Sequence, residues 1–133
     1  SRTTYKYYTV VWRYQYKKVL NMMPKLAETY NTKVQEYVSK GKTQIHAQKL
    51  ARRDILRILV GNIWLVSMYY LLKEGSITKD DIVLPYDLAT NPDIHTDKLN
   101  PIEVVADRKV LEVAGIADEI PQITWKWLID LKT

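Results

Sequence analysis

The residues of this chain that could act chemically form two unequal groups, and the catalytic group is the smaller. The sequence holds two histidines and no cysteine. Without cysteine there is no thiol nucleophile, no disulfide, and no Cys-ligated zinc or iron–sulfur site. His46 lies among lysines and arginines, where a phosphate contact or plain solvation accounts for it better than catalysis. Asp93-Ile94-His95-Thr96-Asp97 sets metal-ligand residue types at alternate positions, which a strand would turn onto one face. No further ligand group of defined spacing accompanies them, and the same residues are ordinary in loops, so no metal is expected. Asp80-Asp81 reads as a charge pair at a helix start rather than an acid–base dyad. The phosphate-loop, dinucleotide and nucleophile-elbow patterns GxxxxGK[ST], GxGxxG and GxSxG do not occur. These absences predict a protein that is not an enzyme and takes no cofactor.

The larger group is cationic. Residues 1–27 carry Arg2, Lys6, Arg13, Lys17, Lys18 and Lys25 with no acid, interleaved with Tyr5, Tyr7, Tyr8, Trp12, Tyr14 and Tyr16. Cations neutralise phosphates, and flat amphipathic rings pack on sugar and protein at low entropic cost, so the mixture suits a polyanion. A second basic set, Lys42, Lys49, Arg52, Arg53 and Arg57, follows, with Lys49, Arg53 and Arg57 recurring every four residues. For any single lysine the ordinary reading is a solvated face. The case rests on the set and on the missing acids. The candidate nucleic-acid contacts are therefore Arg2, Lys6, Tyr8, Trp12, Arg13, Tyr16, Lys17, Lys18, Lys25, Lys42, Lys49, Arg52, Arg53 and Arg57. Folded against one another around Pro24 and Gly41, the two sets would form a clamp. No recognition-helix or zinc-finger spacing points to base reading, so a grip on the backbone, independent of sequence, is expected.

Charge is divided along the chain. The net value of +5 is the sum of 13 Lys/Arg against 3 Asp/Glu in residues 1–57, which is +10, and 7 against 12 in residues 58–133, which is −5. One end is thus suited to an anion and the other is not, although a dipolar surface without a partner, or head-to-tail packing of copies, would use the same division. At 133 residues and 47% apolar content the chain reads as one folded domain. No signal-peptide pattern is read at the start, where Arg13 interrupts the first apolar run.

The elements that must position these residues read as helices. In the first segment Tyr8, Val10, Trp12, Tyr14 and Tyr16 alternate as in a strand. As a helix, Tyr5, Tyr8, Trp12, Tyr16 and Val19 form one stripe, with Arg2, Lys6, Arg13 and Lys17 beside it. A helix is preferred because no second strand is visible to pair with it. Pro24 forces a kink or a new helix start. A second helix over 25–40 ends at Gly41. Thr43 caps a long helix running to about Glu74, with Gly75 as its stop. The uncharged run Ile58–Leu72 is fifteen residues, short of the roughly 20 that span a bilayer, and reads as a central core helix, with Gly61 marking close packing or a bend. Residues 76–100 read as loop with one turn capped by Thr78. A helix from Asn100-Pro101 closes at Gly115. A last one starts near Asp118, with Ile120, Ile123, Trp127, Leu128 and Leu131 on one side and Trp125 off that stripe. Trp125 and Trp127 are candidates for a membrane or subunit interface, or for core. The predicted fold is all-α: a bundle of about four helices (residues 42–133) with an extended, proline-kinked basic N-terminal helical arm (residues 1–41).

This layout, and TYKYYTVVWRYQYKKVLNMMPKL above all, resembles the major coat proteins of filamentous, linear double-stranded-DNA archaeal viruses, the lipothrixvirus and rudivirus group. The resemblance implies a virion protein, assembled in the host cytoplasm. Paired subunits, identical or with a homologous second coat protein, would clasp double-stranded DNA in a helical nucleocapsid, with the C-terminal bundle facing neighbours and, in enveloped members, a lipid envelope. The residues alone leave two other readings: a small cellular DNA-binding protein that does not form filaments, and a helical adaptor whose aromatic arm docks a protein partner.

Overall fold

A computed structural model describes residues 2–84, 98–105 and 107–133, with side chains described from Val10 onward. All of the regular structure among these residues is helical, as expected, and no strand occurs. Six α-helices follow in order: α1 (Arg2–Met22), α2 (Pro24–Ser39), α3 (Gln44–Lys73), α4 (Pro101–Val104), α5 (Arg108–Val113) and α6 (Trp125–Lys132). Single 3₁₀ turns lie at Lys79–Asp81 and Ile120–Gln122. The Asp93–Asp97 stretch considered for a metal falls outside the described residues.

The chain divides into two compact units, Ser1–Arg57 and Ile58–Thr133. The first turns of α3 belong with α2, because Ala47 and Ala51 present only methyl groups and let Val34 approach, with Tyr30, Tyr37 and Val38 closing round them. The division coincides with the change in charge, +10 before and −5 after.

In the first unit, Pro24 stands at the first position of α2, and Met23 before it takes φ −129° and ψ 82°, outside the helical region that a following proline disfavours. Tyr16 and Tyr30 would sit about 21 Å apart along one continuous helix. Their ring centroids are 5.9 Å apart, so the chain doubles back and α1 packs along α2. Leu26 and Ile55 are fully buried here. The second end of α2 closes on Gly41, whose φ of +92° is the left-handed conformation that suits glycine.

α3 begins with the Thr43 hydroxyl accepting from the His46 backbone N–H at 3.2 Å. It ends at Gly75 (φ +77°), where Ser76 N–H donates to Leu71 O and Gly75 N–H to Leu72 O, satisfying carbonyls the last turn leaves open. By length and composition it is the one helix among the described residues suited to crossing a membrane. It is not the enclosed core helix expected, since only 17% of its most apolar 18-residue window is buried.

The second unit has its own core of Leu65, Ile82, Leu111, Ala117, Ile120, Ile123, Trp125 and Leu128. The single helix expected over 100–115 is two. Val105 leaves the helical region (φ −92°, ψ 106°), and Asp107 caps a new start by accepting from Lys109 N–H at 2.9 Å. The last helix starts at Trp125 rather than Asp118: Pro121 sits in a 3₁₀ turn, and Thr124 supplies the cap to Trp127 N–H at 3.0 Å.

Candidate nucleic-acid interface

The aromatic stripe expected on α1 exists, and its described part faces inward. Trp12 is 8% exposed and its indole N–H donates to the Arg52 carbonyl at 2.8 Å. Tyr16 lies 6.3 Å from Trp12 between ring centroids, meets Tyr30, and carries the Arg52 guanidinium over its face at 5.0 Å. Trp12 and Tyr16 were candidates for ligand contact. Here they join α1 to the rest of its unit, because burying a large ring against packed helices removes more apolar area from water than laying it on a hydrated surface. Burial pushes the Tyr30 phenol above its ordinary pKa, and the neighbouring Tyr16 adds to this.

The cations sort by their partners. Arg52 is held over Tyr16 and only half exposed. Arg53 (3.4 Å) and Lys33 (3.9 Å) both approach Asp54, which also accepts from the Tyr37 hydroxyl at 2.5 Å. Lys25 lies 3.7 Å from Glu28. Arg13, Lys17, Lys18, Lys42, Lys49 and Arg57 are exposed and have no carboxylate within ion-pair distance among the described residues. Charges without counter-ions repel one another and bind an anion with little to displace. The side chains of Arg2, Lys6 and Tyr8 lie outside those described.

In the second unit several of the described acids are committed to the fold. Asp81 and Glu103 accept backbone N–H groups at helix starts (Thr78, 2.8 Å; Asn100, 2.8 Å), and Glu119 pairs with Lys73 at 2.5 Å, which raises the lysine's pKa. No protein-family profile matches the chain, and no curated protein or solved structure is similar to it.

Trp125 is core, 5% exposed, and not off the buried stripe. Its backbone N–H donates to Asn100 Oδ1 (2.9 Å), its indole N–H to Leu99 O (3.2 Å), and Trp64 stacks on it at 6.2 Å. Trp127 is half buried, edge-on to Tyr69 at 5.3 Å. Sequence reasoning counted Tyr14 among the rings of the arm but left it out of the candidate contacts, and it is 73% exposed on α1. Its signal was available: at 100° per residue it falls opposite the Trp12–Tyr16 stripe, between Lys17 and Lys18. Among the described residues no group of three or more His, Cys, Asp or Glu side chains is arranged to hold a metal.

Proposed function

We propose that this chain is a structural coat protein that grips double-stranded DNA through its backbone, without base reading, and packages it in a helical filamentous nucleocapsid. The observation that carries this reading is that six of the candidate cations, Arg13, Lys17, Lys18, Lys42, Lys49 and Arg57, are exposed and meet no carboxylate among the described residues, in a unit of charge +10. In it, the helical pair α1–α2, broken at Pro24, acts as the arm, and the remaining helices form the bundle that builds the filament. Self-association, with copies of itself or a homologous second coat protein, is supported by the α3 face of Val60 and Ile63, 56% and 64% exposed, in a stretch free of charge from Ile58 to Leu72. The virion is its location, and it needs no catalytic group or cofactor. The same uncharged face favours a lipid envelope as a second partner.

The test is duplex-DNA binding over a salt series with several unrelated sequences, followed by negative-stain microscopy of the complexes. A slope of log K against log salt near −5 is expected if the six cations each neutralise one phosphate, at about −0.9 per phosphate. Equal affinities across sequences and filaments of regular pitch complete the expectation. A flat slope sinks the reading, and sequence-independent binding without filaments turns it into a cellular DNA-binding protein. Flotation with anionic liposomes tests the lipid contact.

A further inference from the structure

We infer that the nucleic-acid backbone lies along the outward arc of α1, with Tyr14 at the centre of that arc packed on sugar and Arg13, Lys17 and Lys18 on the flanking phosphates. This rests on the proposed DNA-binding reading and assigns its contact surface. Three observations carry it. First, the helix has two distinct sides: Trp12 is buried and Tyr16, Val19 and Leu20 half buried, whereas Val10, Val11, Arg13, Tyr14, Lys17 and Lys18 are exposed. Second, at 100° per residue Arg13, Lys17, Tyr14 and Lys18 follow one another across about 140° of the helix surface, with the ring between the two lysines. Third, none of these three cations meets a carboxylate among the described residues.

The chemistry matches a phosphate–sugar ladder. A phenol ring gives an apolar face for deoxyribose and a hydroxyl that donates to phosphate, and Val10 and Val11 extend that apolar strip. A residue 73% exposed leaves most of its ring open to a ligand. Trp12 and Tyr16 are then positioning residues. They hold α1 with this arc turned outward, and they act on DNA only through that orientation.

The experiment uses the full chain and a fluorescent 30-base-pair duplex, read by anisotropy between about 50 and 200 mM salt, the range over which phosphate contacts change affinity most. Tyr14→Ala is expected to lower affinity at least about fivefold with the salt slope unchanged, since stacking-type ring contacts are uncharged. The pair Lys17→Gln with Lys18→Gln is expected to flatten the slope by about 1.8. Trp12→Phe keeps the slope and lowers the melting temperature, which Tyr14→Ala leaves alone. Lys109→Gln in the acidic unit is the control and changes neither. Wild-type affinity for Tyr14→Ala overturns the place given to the ring. A wild-type slope for the lysine pair overturns the arc, while steep binding by the wild type would still stand for DNA binding. A wild-type chain that does not bind duplex overturns both.

Discussion

Asp54 decides how much of the first unit's charge is available. It is one of three acids there, and it meets Lys33, Arg53 and the Tyr37 hydroxyl together. The hydrogen bond to Asp54 favours the protonated phenol, and burial adds to it, so the Tyr37 pKa is raised from 10.0. A raised folded pKa means stability that is complete below the phenol's ordinary value and is lost as pH climbs through the folded one. Tyr37→Phe should therefore cost about 1.5 kcal/mol at neutral pH, the scale of a hydrogen bond to a charged partner. Above about pH 10 the gap from wild type should close, because the variant has one fewer phenol to ionise. Urea unfolding at pH 7 and at pH 9–11 measures both. Tyr30 is raised by burial in the same direction, so the variant keeps part of the alkaline loss. At this scale the sequence was legible in pattern and not in direction. The stripe through Trp12 and Tyr16 was readable from spacing, yet which side of α1 faces inward depends on the Arg52 carbonyl, forty residues away.

Gly61 shows how the elements of the second unit meet. A methyl group built there would stand 3.4 Å from Trp125 Cζ2 and 3.6 Å from Cη2, at ordinary contact distance. Gly61→Ala is expected to stabilise by up to about 1 kcal/mol, because alanine is the better helix former and its methyl fits. Gly61→Leu is expected to destabilise by about 2 kcal/mol, since the longer side chain displaces a core ring with its indole bound to Leu99 O. Chemical denaturation read by tryptophan fluorescence separates the two, and a stabilising leucine would remove Trp125 from the site opposite Gly61. Helix starts and stops marked by local chemistry were legible: Thr43, Gly41, Gly75 and the Asn100-Pro101 start all serve as expected. The break at Val105–Asp107 was hidden because β-branched residues and an aspartate also occur inside helices. Trp125 was misread because what buries it, Asn100, Leu99 and Trp64, lies 25 to 61 residues back.

For the whole molecule, the charge division and the uncharged face of α3 make separate demands. Cations of the first unit suit DNA, whereas Val60, Ile63 and Ser67 form a strip at spacings of three and four that suits another apolar surface. Ser67 adds no unmet polar group to that strip, because its hydroxyl donates to Ile63 O at 2.8 Å. If coat assembly uses the strip, packaging and DNA binding can be separated by one charge. Ile63→Glu, at a position already 64% exposed, should change unfolding free energy by no more than about 0.5 kcal/mol. It should leave the affinity and salt slope for a short duplex within twofold of wild type, because the added carboxylate lies in the unit that carries no part of the proposed grip. On long DNA it should stop filament growth, since a carboxylate desolvated in an apolar contact costs several kcal/mol per subunit pair. Microscopy of wild type and variant on the same DNA, with sedimentation of the protein alone, reads the difference. Filaments indistinguishable from wild type would move the assembly contact off α3, and lost short-duplex binding would mean the two functions share one surface.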